Sequence, residues 1–152
     1  MNAYRVHLKD VAPVPWRNGG GTTRELLAWP DASDWQLRIS VADVAQDGPF
    51  SKFDGIERWF AVLEGEGVRL DIDGVAHEVR RGSPPLRFDG GARVHATLLG
   101  GPTLDFNLMA RPGVATLERV DEGFLRVRSQ HVVAHYDLAA HALIWQVSEA
   151  WR

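Results

Sequence analysis

Short runs of alternating or β-branched residues, separated by turn signals, recur along the whole chain of 152 residues. The clearest case is residues 68–72, Val-Arg-Leu-Asp-Ile, which continue through Asp73-Gly74 into a second such run at residues 75–79. Alternation places successive side chains on opposite faces of a strand, and Asp-Gly between two such runs is typical of a hairpin. No segment has the periodicity of a long amphipathic helix. We therefore expect an all-β fold of roughly ten or more short strands, arranged as an antiparallel sandwich or barrel.

Composition excludes several classes of function. The net charge is −3, and Lys and Arg are scattered, so no basic stripe is present to bind nucleic acid. The chain has no cysteine, which excludes disulfides, thiolate nucleophiles and zinc–sulfur sites. It has neither an apolar run long enough to span a membrane nor an N-terminal signal core. We expect a cytoplasmic protein with no nucleic-acid and no membrane partner.

Three consecutive glycines at residues 19–21 follow Trp16 and Asn18. Glycine permits close approach to the backbone, and a concave run of exposed N–H groups can bind a small anion. The polar side chains of Asn18, Thr22 and Arg24 would assist such binding. The alternative is a plain flexible turn, which is the commoner role of a bare glycine triplet. A phosphate loop is excluded, because the Lys-Ser/Thr ending is missing.

Two predicted strands carry polar residues on one face. In residues 35–44 the alternation places Arg38 and Ser40 inward, opposite an apolar face. An arginine inside a barrel needs a partner, which could be a carboxylate ligand or an internal salt bridge with Glu25 or Asp105. In residues 104–110, Asn107 shares a face with Asp105 and runs against strand propensity. Such a residue often marks a functional position, and a structural hydrogen bond is the competing explanation.

Several phrases agree in order and spacing with one known family, over about residues 4–113. On these phrases the chain resembles the HutD/Ves family, whose members resemble cupins. The resemblance implies an RmlC-like cupin jelly-roll barrel in a compact bicupin-like arrangement, and a regulatory or accessory role in histidine utilisation. The phrases are residues 15–25, 35–42, 47–58, 62–65, 86–90 and 101–109.

The resemblance also suggests a division of the single unit at residue 111. Residues 1–111 would form the main barrel, and residues 112–152 a partial second half, because residues 114–152 are short for a complete one and the last five residues lack the expected closing strand. The shortened half could leave an open sheet edge that a second subunit covers, which makes a homodimer one alternative.

A metal centre is not expected. Most catalytic cupins bind a metal through histidines and a glutamate, yet the corresponding regions, residues 47–65 and 104–111, contain no histidine. His131 and His135 would lie about 13 Å apart on a strand, too far to share one metal. We therefore predict no metal, no cofactor and no catalytic residue. An acid–base pair of Asp47 and Glu57 stays open as an alternative.

The favoured function is a metal-free cupin-like protein that binds a small carboxylate, such as formylated or formimino-glutamate, and regulates histidine utilisation. A metal-independent isomerase or hydrolase, and a protein-interaction module without a small ligand, are the alternatives. Trp16 and Phe50 would wall the pocket, and Arg58 is a reserve candidate that could equally be a charge at the rim. The predicted ligand-binding residues are Trp16, Asn18, Gly19, Gly20, Gly21, Thr22, Arg24, Arg38, Ser40, Phe50, Arg58 and Asn107.

Overall fold

The computed structural model describes residues 3–148, in which fifteen strands form three sheets with antiparallel ladders. A short 3₁₀ helix, Leu8–Asp10, follows the first strand. The all-β prediction is confirmed. The strands are β1 (Ala3–His7), β2 (Val14–Pro15), β3 (Gly21–Trp29), β4 (Leu37–Val44), β5 (Gly48–Pro49), β6 (Glu57–Glu64), β7 (Val68–Ile72), β8 (Val75–Val79), β9 (Leu86–Asp89), β10 (Val94–Leu98), β11 (Thr103–Ala110), β12 (Ala115–Asp121), β13 (Phe124–Ser129), β14 (Val132–Asp137) and β15 (Ala142–Val147).

A six-stranded sheet, in the order β2-β3-β4-β11-β6-β9, is the middle layer of the molecule. Every residue of β11 is buried, which requires cover on both faces of this sheet. Ile39 of β4 and Phe106 of β11 belong to the apolar cluster shared with the five-stranded sheet. Phe60 and Val62 of β6 belong to a second cluster, shared with the four-stranded sheet. The alternation of side chains along each strand therefore supplies two separate cores.

The side-chain faces predicted for two strands are confirmed. On β4, Leu37, Ile39 and Val41 pack into the core with the five-stranded sheet, while Ser40 lies on the opposite face. On β11, Leu108 packs into that same core, together with Leu104 and Phe106. The polar residues of β11 are thus left on the face that looks toward the four-stranded sheet.

The four-stranded sheet has the order β5-β10-β7-β8, and its strands β7 and β8 form the hairpin predicted around Asp73-Gly74. Both residues of that turn have positive φ, 50° at Asp73 and 86° at Gly74, as such a hairpin requires. No ladder among residues 3–148 joins this sheet to the middle sheet. The two sheets meet through side chains and one isolated bridge between Val62 and Arg81. The sheets are therefore open, so the jelly-roll barrel expected from the resemblance is not closed.

The five-stranded sheet has the order β1-β15-β14-β13-β12 and covers the other face of the middle sheet. Four of its strands come from the C-terminal part of the chain, and the N-terminal strand β1 pairs with β15. The C-terminal part thus shares a sheet with the N-terminus. The bicupin-like arrangement and the division at residue 111 stay predictions. The expected lack of a closing strand concerns residues 148–152, which lie outside the described residues except for Ser148.

No helix among residues 3–148 has the length and apolar character needed to cross a membrane.

Candidate functional site

An open cavity of about 560 Å³ lies against the face of the middle sheet that is turned toward the four-stranded sheet. Its floor comes from β4, β6 and β11, and its walls come from the segment around Trp16 and the segment from Pro49 to Phe53. The strand register fixes the order of the floor residues. Met109 of β11 pairs with Arg38 of β4 on one side and with Arg58 of β6 on the other. The two arginines therefore flank one β11 residue on the cavity floor.

Arg58 is the deepest cation of the cavity, with 6% of the residue exposed. One terminal nitrogen, Nη2, lies 3.4 Å from Oδ1 of Asn107, and the other, Nη1, lies 3.4 Å from the carbonyl oxygen of Ser51. Both distances are long for hydrogen bonds, which are usually 2.7–3.2 Å. Among the described residues, no carboxylate lies within ion-pair distance of Arg58. Its charge is thus buried with weak neutral partners only.

Three phenylalanine rings surround the guanidinium of Arg58. The distances from Cζ to the ring centroids are 5.1 Å for Phe88, 5.5 Å for Phe53 and 5.6 Å for Phe50. Cation–π contacts at this range offset part of the cost of burial. Burial, and then the nearby charge of Arg38, lower the pKa of Arg58 to about 10. The group stays cationic at neutral pH, and its aromatic surroundings supply no negative charge to balance it.

Arg38 differs from Arg58 because it already has an acidic partner. Its Nε donates to Oε1 of Glu25 at 2.7 Å, and about a quarter of its side chain is exposed. Of the two predicted alternatives for Arg38, the internal salt bridge with Glu25 is the one observed. Glu25 also lines the cavity, so this ion pair forms part of the wall near solvent.

Asp105 lies on the cavity floor with none of its surface exposed. Its Oδ2 accepts a hydrogen bond from Oγ1 of Thr103 at 2.9 Å, whereas its buried Oδ1 has no hydrogen-bond partner. Burial raises the pKa of Asp105 to about 7, and the negative charge of Asp43 adds to this rise, while the Thr103 bond opposes it. The pKa of this carboxyl therefore lies well above the ordinary value of an aspartate.

An aromatic wall bounds the cavity on the side of Trp16. The indole Nε1 donates to Oγ1 of Thr23 at 2.8 Å, which fixes the plane of the ring. Phe50 packs edge to face against Trp16, with ring centroids 6.0 Å apart. Phe60 packs against Phe50, also with ring centroids 6.0 Å apart. Both aromatic residues predicted to wall the pocket thus line the cavity.

Comparison with known proteins places this fold and cavity in a family. The family model for HutD matches residues 8–151. The chain belongs to the HutD family. The resemblance inferred from the sequence phrases is thereby confirmed.

The HutD-family relatives include proteins from several bacteria. A 21.2 kDa protein in the hutC 3′ region of Pseudomonas putida is 38% identical over 108 residues, covering 68% of this chain and 56% of the relative. Protein Ves of Citrobacter koseri is 40% identical over 108 residues, covering 67% and 56%. The chain thus matches 56% of the length of each of these relatives.

Solved structures agree with the HutD assignment. HutD from Pseudomonas fluorescens SBW25 aligns with a TM-score of 0.79 at 28% identity, covering 96% of this chain and 88% of that one. The cupin domain of Cnp3 from Schizosaccharomyces pombe aligns with a TM-score of 0.55 at 10% identity, covering 68% and 71%. At that identity the likeness shows the fold alone. The cupin-like fold implied by the sequence is therefore supported, with open sheets in this HutD-family chain.

Seven of the twelve predicted residues line the cavity, and five do not. Those that line it are Trp16, Asn18, Arg38, Ser40, Phe50, Arg58 and Asn107. The residues outside the lining are Gly19, Gly20, Gly21, Thr22 and Arg24.

The glycine triplet forms a structural turn, and the expected run of exposed N–H groups is not present. The N–H of Gly19 donates to the carbonyl of Trp16 at 3.1 Å, and the N–H of Gly20 donates to Oδ1 of Asn18 at 2.8 Å. A Cβ on Gly21 would overlap the carbonyl oxygen of Asp43 and crowd the Trp16 ring. Close packing thus requires glycine at residue 21, whereas at residue 19 it is the φ of +73° that favours glycine. The effect of the turn on the cavity is to position Trp16 and Asn18.

The structure places Thr22 and Arg24 outside the cavity lining. Thr23 pairs with Ala42 and lines the cavity, so its neighbours point to the opposite face of β3. Arg24 there donates to Oδ2 of Asp43 at 2.8 Å and to the carbonyl of Val11. Sequence reasoning missed Thr23 as a lining residue. It named Glu25 and Asp105 as candidate salt-bridge partners of Arg38, but not as ligand-binding residues.

The alternative catalytic pair, Asp47 and Glu57, does not meet in the cavity. Oδ1 of Asp47 accepts the backbone N–H of Leu98 at 2.8 Å, and Glu57 accepts from Nε of Arg87 at 2.7 Å. Neither carboxylate lines the cavity. Residues 3–148 contain no group of three or more His, Asp and Glu side chains arranged to hold a metal ion.

Proposed function

We propose that this HutD-family protein binds a small carboxylate in the cavity, without a metal, and that this binding serves regulation of histidine utilisation. The observation that carries the proposal is the buried guanidinium of Arg58, which has no carboxylate partner among the described residues. An arginine binds a carboxylate through two parallel hydrogen bonds that are shorter and stronger than bonds to neutral acceptors. A bound carboxylate would therefore supply the charge balance that the 3.4 Å contacts with Asn107 and Ser51 do not.

The neighbours of Arg58 suit the rest of such a ligand. Ser40 and Asn107 pair with each other across β4 and β11 and offer a hydroxyl and an amide beside the arginine. Trp16 and Phe50 provide an apolar wall for a short carbon chain. A volume of about 560 Å³ falls in the usual range for small-molecule sites, so a carboxylate larger than formate has room.

The family context supports the choice of ligand. The P. fluorescens HutD structure is described as a formate condition, and formate is the simplest carboxylate. The P. putida relative is placed in the hutC 3′ region. Formylated or formimino-glutamate combines a carboxylate with a one-carbon group and is the candidate we favour. Binding to the native state would stabilise it and shift a conformational or assembly equilibrium, which is how such a protein could act on regulation.

Calorimetric titration with formate, L-glutamate and N-formyl-L-glutamate tests this proposal. We expect at least one carboxylate to bind the native protein and the variant Arg58→Met to bind it about 10- to 100-fold more weakly, because hydrogen bonds to a charged group are worth about 1.5–3 kcal/mol. Methionine keeps the volume of the arginine stem without its charge. Arg128→Met is the matched control, since Arg128 is exposed on β13 in the five-stranded sheet. Equal affinities of native protein and Arg58→Met would contradict the proposal.

A further inference from the structure

Asp105 presents an unusual combination of burial and incomplete hydrogen bonding on the cavity floor. None of its surface is exposed, yet one of its two carboxyl oxygens, Oδ1, has no hydrogen-bond partner. A carboxylate normally accepts several hydrogen bonds when buried, because an unpartnered buried charge is very costly. A carboxylic acid carries no charge, so its burial costs less than that of a carboxylate. The hydrogen bond from Thr103 to Oδ2 is available to either form.

The cations of the cavity do not pair with Asp105. Arg38 is engaged by Glu25, and Arg58 reaches Asn107, which lies between Arg58 and Asp105 in the register of the sheet. The cavity floor therefore holds a buried cation and a separate buried carboxyl, both without an ionic partner among the described residues. The charged groups of the surrounding elements are Arg38 and Asp43 on β4, Glu57, Arg58 and Glu64 on β6, and Arg17 and Glu25 across the cavity. None of the described lining residues is a histidine.

We propose that Asp105 couples carboxylate binding in this cavity to the uptake of one proton. The inference rests on the proposed function. Arg58 lies opposite Met109, four residues along β11 from Asp105, on the same buried floor. An anion held at Arg58 disfavours an ionised Asp105 through this poorly solvated floor, and it leaves a protonated Asp105 undisturbed. The cavity thus binds its ligand when Asp105 is protonated and releases it when Asp105 ionises. Binding takes one proton from solvent onto the carboxyl, and release returns it.

The charge count of the cavity gives the direction of the effect. With Asp105 protonated and Glu25 paired with Arg38, the floor carries the positive charge of Arg58, and Arg17 on the wall adds a second. With Asp105 ionised, the net charge of these groups falls by one, and the attraction for an anion weakens. Since burial holds the pKa of Asp105 at about 7, this change falls within the physiological range of pH. Small changes of cytosolic pH would then alter occupancy of the site.

Calorimetry at several pH values tests the proposal with N-formyl-L-glutamate as the probe, because its own carboxyl groups stay ionised between pH 6 and pH 8. We expect the affinity of the native protein to fall about tenfold over this range, and titrations in buffers of different ionisation enthalpy to show proton uptake on binding. Asp105→Asn imitates the protonated carboxyl and should bind with an affinity that changes less than about twofold. Asp34→Asn, at an exposed carboxylate that pairs with Arg111, should keep the full pH dependence.

A second measurement does not depend on the variant. The carboxyl ¹³C resonance of Asp105 reports its titration directly, and saturation with N-formyl-L-glutamate should raise its midpoint by at least about one pH unit. An unchanged midpoint, or tight binding with no proton uptake at any pH, would overturn the coupling and leave the proposed function intact. Failure of formate, L-glutamate and N-formyl-L-glutamate to bind at any pH would instead remove the proposed function and the coupling with it.

Discussion

Arg58 and Asp105 show how single residues set the character of this cavity. One is a base and the other an acid, and they lie on neighbouring strands. Each is nevertheless buried without an ionic partner among the described residues. A chain selected for stability alone would pair them or replace both with apolar residues, since burying an unpaired charge costs several kcal/mol. Keeping them apart leaves a cation free for an anion from solvent and a carboxyl free to hold a proton. The local departure from good packing therefore indicates function.

The raised pKa of Asp105 predicts a specific dependence of stability on pH. The carboxyl has a pKa of about 7 in the folded protein and 3.8 as its ordinary value. Between these values the folded state holds a proton that the unfolded state releases, so the contribution of Asp105 to stability falls as pH rises toward 7 and then stays constant. Asp105→Asn removes this dependence. We expect the variant to match the native protein near pH 4 and to exceed its free energy of unfolding by about 4 kcal/mol near pH 8.

Urea unfolding of both proteins at a series of pH values measures this difference. The comparison isolates Asp105, because all other titrating groups are common to the two chains. A free-energy difference that stays the same from pH 4 to pH 8 would show that the carboxyl titrates normally in the folded protein.

At the scale of elements, the hairpin of β2 and β3 holds one wall of the cavity. The backbone N–H of Trp16 donates to the carbonyl of Gly21 at 2.9 Å, and the carbonyl of Gly20 accepts from the N–H of Ala45 at 2.8 Å. These bonds connect the turn to the segment after β4. The indole bond to Thr23 then fixes the ring that faces the cavity. A change in the turn is therefore transmitted to the ligand site through Trp16.

Gly21→Ala should damage both stability and binding. The added methyl overlaps the carbonyl of Asp43 and the ring of Trp16, and overpacking of this kind costs about 1–3 kcal/mol. Gly19→Ala is the matched control in the same turn. Its φ of +73° disfavours a side chain, but nothing lies within 4 Å of an added Cβ. Denaturant unfolding and calorimetry on both variants should show weakened carboxylate binding for Gly21→Ala and native affinity for Gly19→Ala. Equal losses of binding would contradict the role assigned to the turn.

The success of sequence prediction varied from element to element. The faces of β4 and β11 were predictable because strict alternation, with Leu37, Ile39 and Val41 on one side, leaves a single register that buries the apolar set. On β3 the adjacent residues Thr22 and Thr23 are both polar, and the register shifts between Glu25 and Leu27. The sequence therefore lacked an apolar pattern that would assign the faces, and Thr22 and Arg24 were named only because they follow the glycines.

Burial of Arg58 and Asp105 was harder to predict, because it depends on contacts between distant segments. The three phenylalanines that surround Arg58 come from β9 and from the loop before β6. No local sequence pattern predicts that these segments contact the same side chain. The one local signal was that residues 58–64 are mostly apolar, which places an arginine at the start of a buried strand. β1 near the start of the chain pairs with β15 near its end. Local sequence patterns do not predict this pairing either.

At the scale of the whole molecule, the middle sheet depends on cover from both sides. Ile39, Phe106 and Leu108 are fully buried against the five-stranded sheet, whereas the cavity lies on the opposite face. The five-stranded sheet thus supports the cavity floor without contributing to the lining described. We therefore expect the C-terminal strands to be needed for the site, although none of their residues lines the cavity.

A chain that ends at Arg111 tests this dependence. It lacks β12 to β15 and leaves the apolar face of the middle sheet uncovered, so we expect aggregation or loss of cooperative unfolding, measured by size-exclusion chromatography and denaturant unfolding. Phe106→Ala in the full chain is the milder comparison and should cost about 3–5 kcal/mol while keeping the fold. A soluble, cooperatively folding chain of residues 1–111 would contradict the account and would support the division at residue 111.

The most direct test of the central claim is to observe the arginine side chains by ¹⁵N NMR during titration with N-formyl-L-glutamate. We predict a large, saturable change of the Arg58 guanidinium resonances, because the carboxylate replaces weak neutral acceptors there. Arg24, which is bound to Asp43 on the opposite face of the sheet, should not respond. Saturable binding that leaves the Arg58 resonances unchanged would show that the carboxylate binds elsewhere and would contradict the account.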